Sequence, residues 1–325
     1  MSQPPRYLST ERCLVEVTTR TFQGRYFLRP TPEVREIILG VLGRAQRIYS
    51  MEVCLIAFAS NHWHGLLVPT DADQLASFMN YVNGEIARKI KALVPWKGRF
   101  WHERYTPIEV SSEPAAQRAR FRYLLSHGVK ENLVERPEQW IGVNGGCAWL
   151  HGEPLKGYWF DKTREYRARK LVKNRGKTFD RLAFADEEEL KLSPLPTWVA
   201  EGLELSQIRQ EIEEMVDEVV HLARLERQMS GRSKVLGVEA VLAKPWGYLP
   251  DELPKRIKPL LHHRSRDAFE HWLAGYRGFV AAYRWASEGY RKGRLGVRFP
   301  ERCFPPARPF TSDGRVGGSA EGIEI

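Results

Sequence analysis

Two short stretches of the sequence gather residue types that do metal and phosphoryl chemistry. In Asn61-His62-Trp63-His64-Gly65-Leu66-Leu67-Val68, two histidines stand one residue apart. Side chains alternate on an extended strand, so His62 and His64 share a face and Trp63 takes the other; the imidazoles lie about 6.6 Å apart along the strand. That spacing lets both hold one cation, and it equally suits a pair of surface histidines on a hairpin. In Tyr123-Leu124-Leu125-Ser126-His127, a phenol and an imidazole stand four residues apart. On a helix they share a face about 6 Å apart along the axis, so a nucleophile and a further ligand can look into one site. A core tyrosine followed by a histidine favoured at a helix C-terminus is the plainer alternative. A phenol ordinarily ionises near pH 10, leaving about one molecule in a thousand as phenolate at pH 7, a gap of roughly 4 kcal/mol. Lys130 and Arg120 are the cations closest in sequence that could narrow it.

Both stretches need a scaffold, and the apolar periodicity supplies one. Cys13–Arg20, Val53–Phe58, His62–Val68 and Tyr105–Val110 read as strands, with Ala59-Ser60-Asn61 as a hairpin connection. Pro32 to Tyr49 places Val34, Ile37, Ile38, Val41 and Leu42 on one helical side; Asp73 to Leu93 does the same with Leu75, Phe78, Met79, Val82 and Ile86. Glu113 to His127 reads as a helix capped by Ser111 or Ser112, with Pro114 in its first turn. The order βαββαβ plus a helix predicts an α+β, ferredoxin-like antiparallel sheet with helices on one face and the other face open to a ligand.

The chain has 325 residues, 42% hydrophobic and 28% charged, which excludes a mostly disordered chain and suggests about two domains. No apolar run reaches membrane-spanning length and the N-terminus has no signal core, so the expected location is the cytoplasm, without a membrane partner. The formal charge of +10 favours a polyanionic partner, nucleic acid first. Cys13, Cys54, Cys147 and Cys303 form no paired metal motif, and Cys54 reads as core. Asp161–Arg181 carries nine Lys/Arg against three acids. The expected organisation is a catalytic domain over 1–155, a basic linker over 156–182, a mainly α-helical accessory domain over 183–304 and a flexible tail over 305–325. Helices are expected near Leu205–Leu225, Val235–Leu242 and Asp267–Tyr290. Glu187-Glu188-Glu189 reads as a solvated helix start, and His262-His263 as a polar connector. Arg88, Lys89, Lys97, Arg99 and Arg104 form a basic run interleaved with Trp101, the pattern that holds single strands; Arg118, Arg120 and Arg122 flank Tyr123, and Lys130 follows it.

The histidine hairpin is similar to the signature of one-tyrosine HUH transposases. Phe100-Trp101-His102-Glu103-Arg104-Tyr105 resembles an aromatic segment of the same proteins, and Tyr123 to Glu138 resembles the segment that carries their nucleophile. In this order, over about Val15–Trp140, the landmarks resemble the REP-associated tyrosine transposases. Three positions depart from that pattern: His127 stands where the family has Asn or Gln, Gly128 where it has Pro, and Asn132 where it has a helix-ending Gly. The resemblance implies the HUH nuclease fold, Tyr123 as nucleophile, and His62, His64 and His127 around a divalent metal, Mg²⁺ or Mn²⁺. Three imidazoles suit Mn²⁺ better than Mg²⁺. It implies a single-stranded DNA endonuclease and strand transferase that passes through a 5′-phosphotyrosine at hairpin-forming DNA, acting as a monomer or homodimer. A catalytically inactive, transposase-derived DNA-binding protein and a replication initiator or relaxase are the alternatives; no nucleotide-binding phosphate loop supports the last.

Overall fold

The computed structural model describes residues 7–9, 12–172, 182–231, 234–251, 258–301 and 303. The expected tail over 305–325 and the part of the expected linker over 173–181 lie outside the described residues. The first elements are β1 (Leu14–Arg20), α1 (Pro32–Tyr49), β2 (Glu52–Phe58), β3 (His62–Val68), α2 (Ala72–Ile90), β4 (Thr106–Val110) and α3 (Pro114–Leu125). The sheet runs β2-β3-β1-β4, and each neighbouring pair is antiparallel, the ferredoxin-like order. Thr31 caps α1 ahead of Pro32, and Asp71 caps α2 by accepting from the Gln74 N–H at 2.7 Å.

Alternation along the strands builds two layers. Val15, Val17, Val53, Trp63 and Leu67 face α1 and α2, meeting the stripes expected there, Val34, Ile38, Val41 and Leu42 from α1, with Ile37 partly buried against them, and Leu75, Phe78, Met79, Val82 and Ile86 from α2. Cys54 is core, as read. The opposite face differs from the expectation of an open surface. Leu14, Leu66, Val68 and Val110 on that face are covered by Phe121, Leu124 and Leu125 of α3, so only the end bearing Glu16, Thr18, His62 and His64 is left for polar groups. The physical reason is α3's own apolar stripe, which has no other core to enter. The capping expectation also shifts: Glu113 takes the cap position of α3, and Ser111 donates to its carboxylate at 2.7 Å.

The later elements are α4 (Gly146–His151), β5 (Leu155–Phe160), α5 (Lys162–Val172), β6 (Ala185–Leu190), α6 (Pro196–Ala200), α7 (Leu205–Met229), α8 (Glu239–Leu242), β7 (Leu261–His262) and α9 (Arg266–Arg291). β5 and β6 pair antiparallel and lie across α1. The approach is close because Gly40 of α1 meets Gly157 of β5; a Cβ at either would collide with backbone of the other element. Glu187-Glu188-Glu189 is therefore strand, not a solvated helix start. Glu188 is buried and held by Arg44 at 3.2 Å and Arg47 at 2.6 Å, which is what permits a carboxylate there. Trp198 of α6 and Ile208, Ile212 and Val216 of α7 extend the core over α3. β7 adds a fifth strand, parallel to β4, so His262 belongs to the sheet and is no mere connector. Among the described residues no helix is long and apolar enough to cross a membrane.

Candidate functional site

β3 positions two of the three histidines. Its pairing with β1 sets His64 opposite Thr18 and His62 opposite Arg20. Trp63, pointing the other way, is fully buried, stacks on Phe58 at 5.0 Å between centroids and donates its indole N–H to Asn83, which locks the strand's rotation. The third histidine comes from α3's end. The helix stops at Leu125, earlier than the expected His127, and His127 enters the following turn with its N–H on the Leu124 carbonyl. Gly128 at φ 89° and Asn132 at φ 58° turn the chain back, the latter in the left-handed region that asparagine tolerates.

These elements bring the rings together. Centroid distances are 5.2 Å for His62–His64, 5.3 Å for His62–His127 and 4.7 Å for His64–His127, and one nitrogen from each lies within 4.8 Å of the others. The Tyr123 ring joins them at 5.7 Å from His64 and 5.4 Å from His127. Two cations lie over that ring, the Lys130 ammonium at 3.6 Å and the Arg120 guanidinium at 4.1 Å from its centroid. The Lys130 Nζ is also 3.3 Å from the His127 Nε2.

Partners behind the rings orient them. The His64 Nδ1 lies 2.8 Å from the Glu16 Oε1 and 3.0 Å from the Thr18 hydroxyl, which turns its Nε2 toward the other histidines. Glu16 also reaches Arg120 at 2.6 Å and His262 at 2.9 Å. Burial would raise the Glu16 pKa, but hydrogen bonds from His262 and His64 and the Arg120 charge outweigh it and hold the carboxyl well below its usual range. Burial pushes the other way on the imidazoles. His62 falls well below its ordinary value, with the charges of His64, His127 and Lys130 adding to desolvation. His64 falls despite Glu16. His127 falls to about 4, burial outweighing Glu131 at 3.3 Å from its Nδ1. All three are thus neutral near pH 7, the form in which imidazole binds metal.

The remaining residues expected on DNA have varied surroundings. Lys97, Arg99 and Arg104 are exposed in the stretch after α2. The Trp101 indole donates to the Asn83 carbonyl, and its neighbour's amide, that of His102, bonds the Arg20 carbonyl beside the histidine end of the sheet. Arg88 is paired with Glu85 and Arg122 with Glu218. Lys89 turns inward: it is buried, donates to the Phe160 carbonyl at 3.0 Å and covers the Trp159 ring, and burial lowers its pKa to about 8. Arg118 joins α3 to α6 and α7 through Glu201 and Glu211. Sequence reasoning missed Glu16, Thr18, Glu131 and His262. Glu16 carries a visible signal, an acid inside an otherwise apolar strand; His262 carries none, since its place depends on the fifth strand.

Residues 18–122 match the model of a family described as IS200-like transposase. No curated protein matches. Similar solved structures include a REP-associated tyrosine transposase bound to a REP hairpin, 15% identical over 43% of this chain and 80% of that one, with a TM-score of 0.36. Another is a candidate transposase from Deinococcus radiodurans R1, 20% identical over 37% of this chain and 95% of that one, with a TM-score of 0.27.

Proposed function

We propose, from the match of residues 18–122 to the IS200-like transposase model and from the site geometry, that the protein is a metal-dependent, single-stranded DNA endonuclease and strand transferase of the REP-associated kind, with Tyr123 as nucleophile. The observation that carries this reading is the convergence of three imidazoles and a phenol from β3 and the end of α3. The donor set fits a divalent cation. Two imidazole nitrogens about 2.1 Å from one ion are at most about 4.2 Å apart, so small ring rotations close the spacing. Bound by His62, His64 and His127, such an ion supplies Lewis-acid polarisation of a phosphate oxygen, and the all-nitrogen set favours Mn²⁺ over Mg²⁺.

The chain's own residues do the rest. Glu16 holds His64 by its Nδ1–H and anchors Arg120, so ligand and cation are set by one carboxylate. Lys130 and Arg120 lie over the Tyr123 ring, where their charge can hold a phosphate beside the phenol oxygen. The phenol oxygen attacks phosphorus in line as its proton passes to water, the P–O3′ bond breaks, and the leaving 3′-oxygen takes a proton from water, so the proton count balances. The phosphotyrosine keeps the bond energy for rejoining to another 3′-hydroxyl. Hairpin-forming DNA as target, and the monomeric or dimeric state, extend this reading from the sequence landmarks.

The test is covalent capture. Full-length protein is incubated with Mn²⁺ and labelled single-stranded oligonucleotides that fold into hairpins, then resolved under denaturing conditions. A protein–DNA adduct is expected, lost with Tyr123→Phe and with chelator. An adduct that survives Tyr123→Phe overturns the assignment.

A further inference from the structure

Behind Tyr123, on the side built by the later elements, α3, α7 and β7 enclose an open cavity of about 600 Å³. We propose that this cavity receives an unpaired base of the DNA strand whose phosphate is presented to Tyr123. The proposal rests on the nuclease reading and adds a base-binding subsite to it.

Part of the lining is alkyl. Ala119 of α3, Val219 of α7 and Leu261 of β7 face the space, and Val219 and Leu261 are buried. A bare phosphate gains nothing from such walls, because an anion against alkyl groups loses its hydration without a partner. A flat heterocycle gains by the same burial. Among the described residues, Arg120, Arg122, Lys130 and Arg264 line the cavity with Glu226; Arg120 is paired with Glu16, Arg122 with Glu218 and Lys130 with Glu131. Guanidinium planes stack on bases and bind phosphate, so a lining that mixes alkyl groups with arginine side chains matches a base that carries its backbone. The volume is in the range that holds a ligand of nucleotide size.

Position supplies the link to the reaction. Tyr123, Arg120 and Lys130 line the cavity, and Tyr123 also touches the histidine cluster from its other contacts. A strand with one phosphate at that ring therefore has an adjoining base within reach of the cavity. α7 and β7 both lie beyond residues 18–122, so this subsite is an addition to the part of the chain that matches the transposase family.

The test needs neither metal nor cleavage. Full-length protein in chelator is titrated with the four deoxynucleoside 5′-monophosphates and, as the base-free probe, with deoxyribose 5-phosphate. At least one nucleotide is expected to bind tenfold or more tighter than the sugar phosphate, near the low end of what holding one base contributes. A single-stranded oligonucleotide is expected to displace it. Ala119→Trp, which fills the cavity, should erase the tenfold difference, and Ala119→Ser should keep it. Equal binding of nucleotide and sugar phosphate shows an anion site only and overturns the proposal. Failure of the oligonucleotide to displace the nucleotide shows a free-nucleotide site and overturns it too. The adduct assay fails or succeeds independently, so loss of the nuclease reading and loss of the subsite are separate results.

Discussion

One face of the central sheet divides into two halves that share the same backbone. At one end Leu14, Leu66, Val68 and Val110 pack under Phe121, Leu124 and Trp198. At the other, Glu16, Thr18, His62 and His64 meet His127, Tyr123, Arg120 and Lys130. β1 passes from Leu14 to Glu16, and β3 from His64 to Leu66, without leaving the face. α3 spans both, setting Phe121 in the apolar half and Tyr123 in the polar half. The difference teaches how a site of imidazoles can be rigid: His62 and His64 flank the fully buried Trp63 on β3, and His127 follows the buried Leu124 and Leu125 at the end of α3.

The sharpest way to break this division is to mutate across it. Tyr123→Phe keeps the ring under its two cations and removes only the oxygen. Adduct formation should fall by about 10³-fold or more, while denaturant stability stays within about 0.5 kcal/mol of the parent. Phe121→Ala, two residues away, should do the reverse in kind. Phe121 is fully buried and meets Trp198 edge-on at 4.9 Å. Its loss should cost about 3–5 kcal/mol in denaturant unfolding. A stability loss of that size in Tyr123→Phe would show that the polar half is also core.

A smaller effect tests whether the polar half acts as a unit. Glu16→Gln preserves shape but weakens the hold on His64, Arg120 and His262. Mn²⁺ affinity of the full chain, measured by calorimetry, should drop about 10–100-fold. Leu66→Val, on the same face next to His64 in the strand alternation, should leave that affinity within about twofold, since it touches no ligand. Equal affinity in Glu16→Gln and the parent would mean that packing alone orients His64.

The two halves were not equally legible in the sequence. The apolar stripes of α1 and α2, and the split of His62 and His64 from Trp63, follow from period alone, and the structure places them so. Tyr123 and His127 meet through helical spacing even though the helix stops at Leu125. What period cannot show is pairing between distant segments. Glu188 reads as solvent-facing until Arg44 and Arg47 of α1 are set beside it. Lys89 and Arg118 read as free cations until Phe160, Glu201 and Glu211 are placed. His262 reaches Glu16 only because β7 joins the edge of β4. The face expected to be open is half closed for the same reason, since α3 had no other core to enter.

The smallest expected effect concerns that late strand, which closes the polar half without belonging to either half. Glu113 accepts from the Ser111 hydroxyl and from the backbone N–H groups of Arg264 and Ser265, each amide at 2.9 Å, and these bonds hold its pKa down to about 2. An ordinary glutamate ionises near 4.3, so the unfolded or undocked segment takes up a proton first. The clasp is then fully present above about pH 4.5 and is lost as pH falls toward 2. The carboxylate is half-exposed, so screening limits the effect to about 1 kcal/mol or less. Its reporter is the Ser111 amide, which bonds the His262 carbonyl at 2.8 Å. Hydrogen exchange at that amide, corrected for intrinsic rate, should accelerate between pH 5 and pH 3, while amides under Phe121 keep their protection. Glu113→Gln at pH 6 should show the accelerated state already and change little on acidification. If instead both halves lose protection together in the parent, β7 is part of one cooperative core, and the division of the sheet face does not extend to its edge.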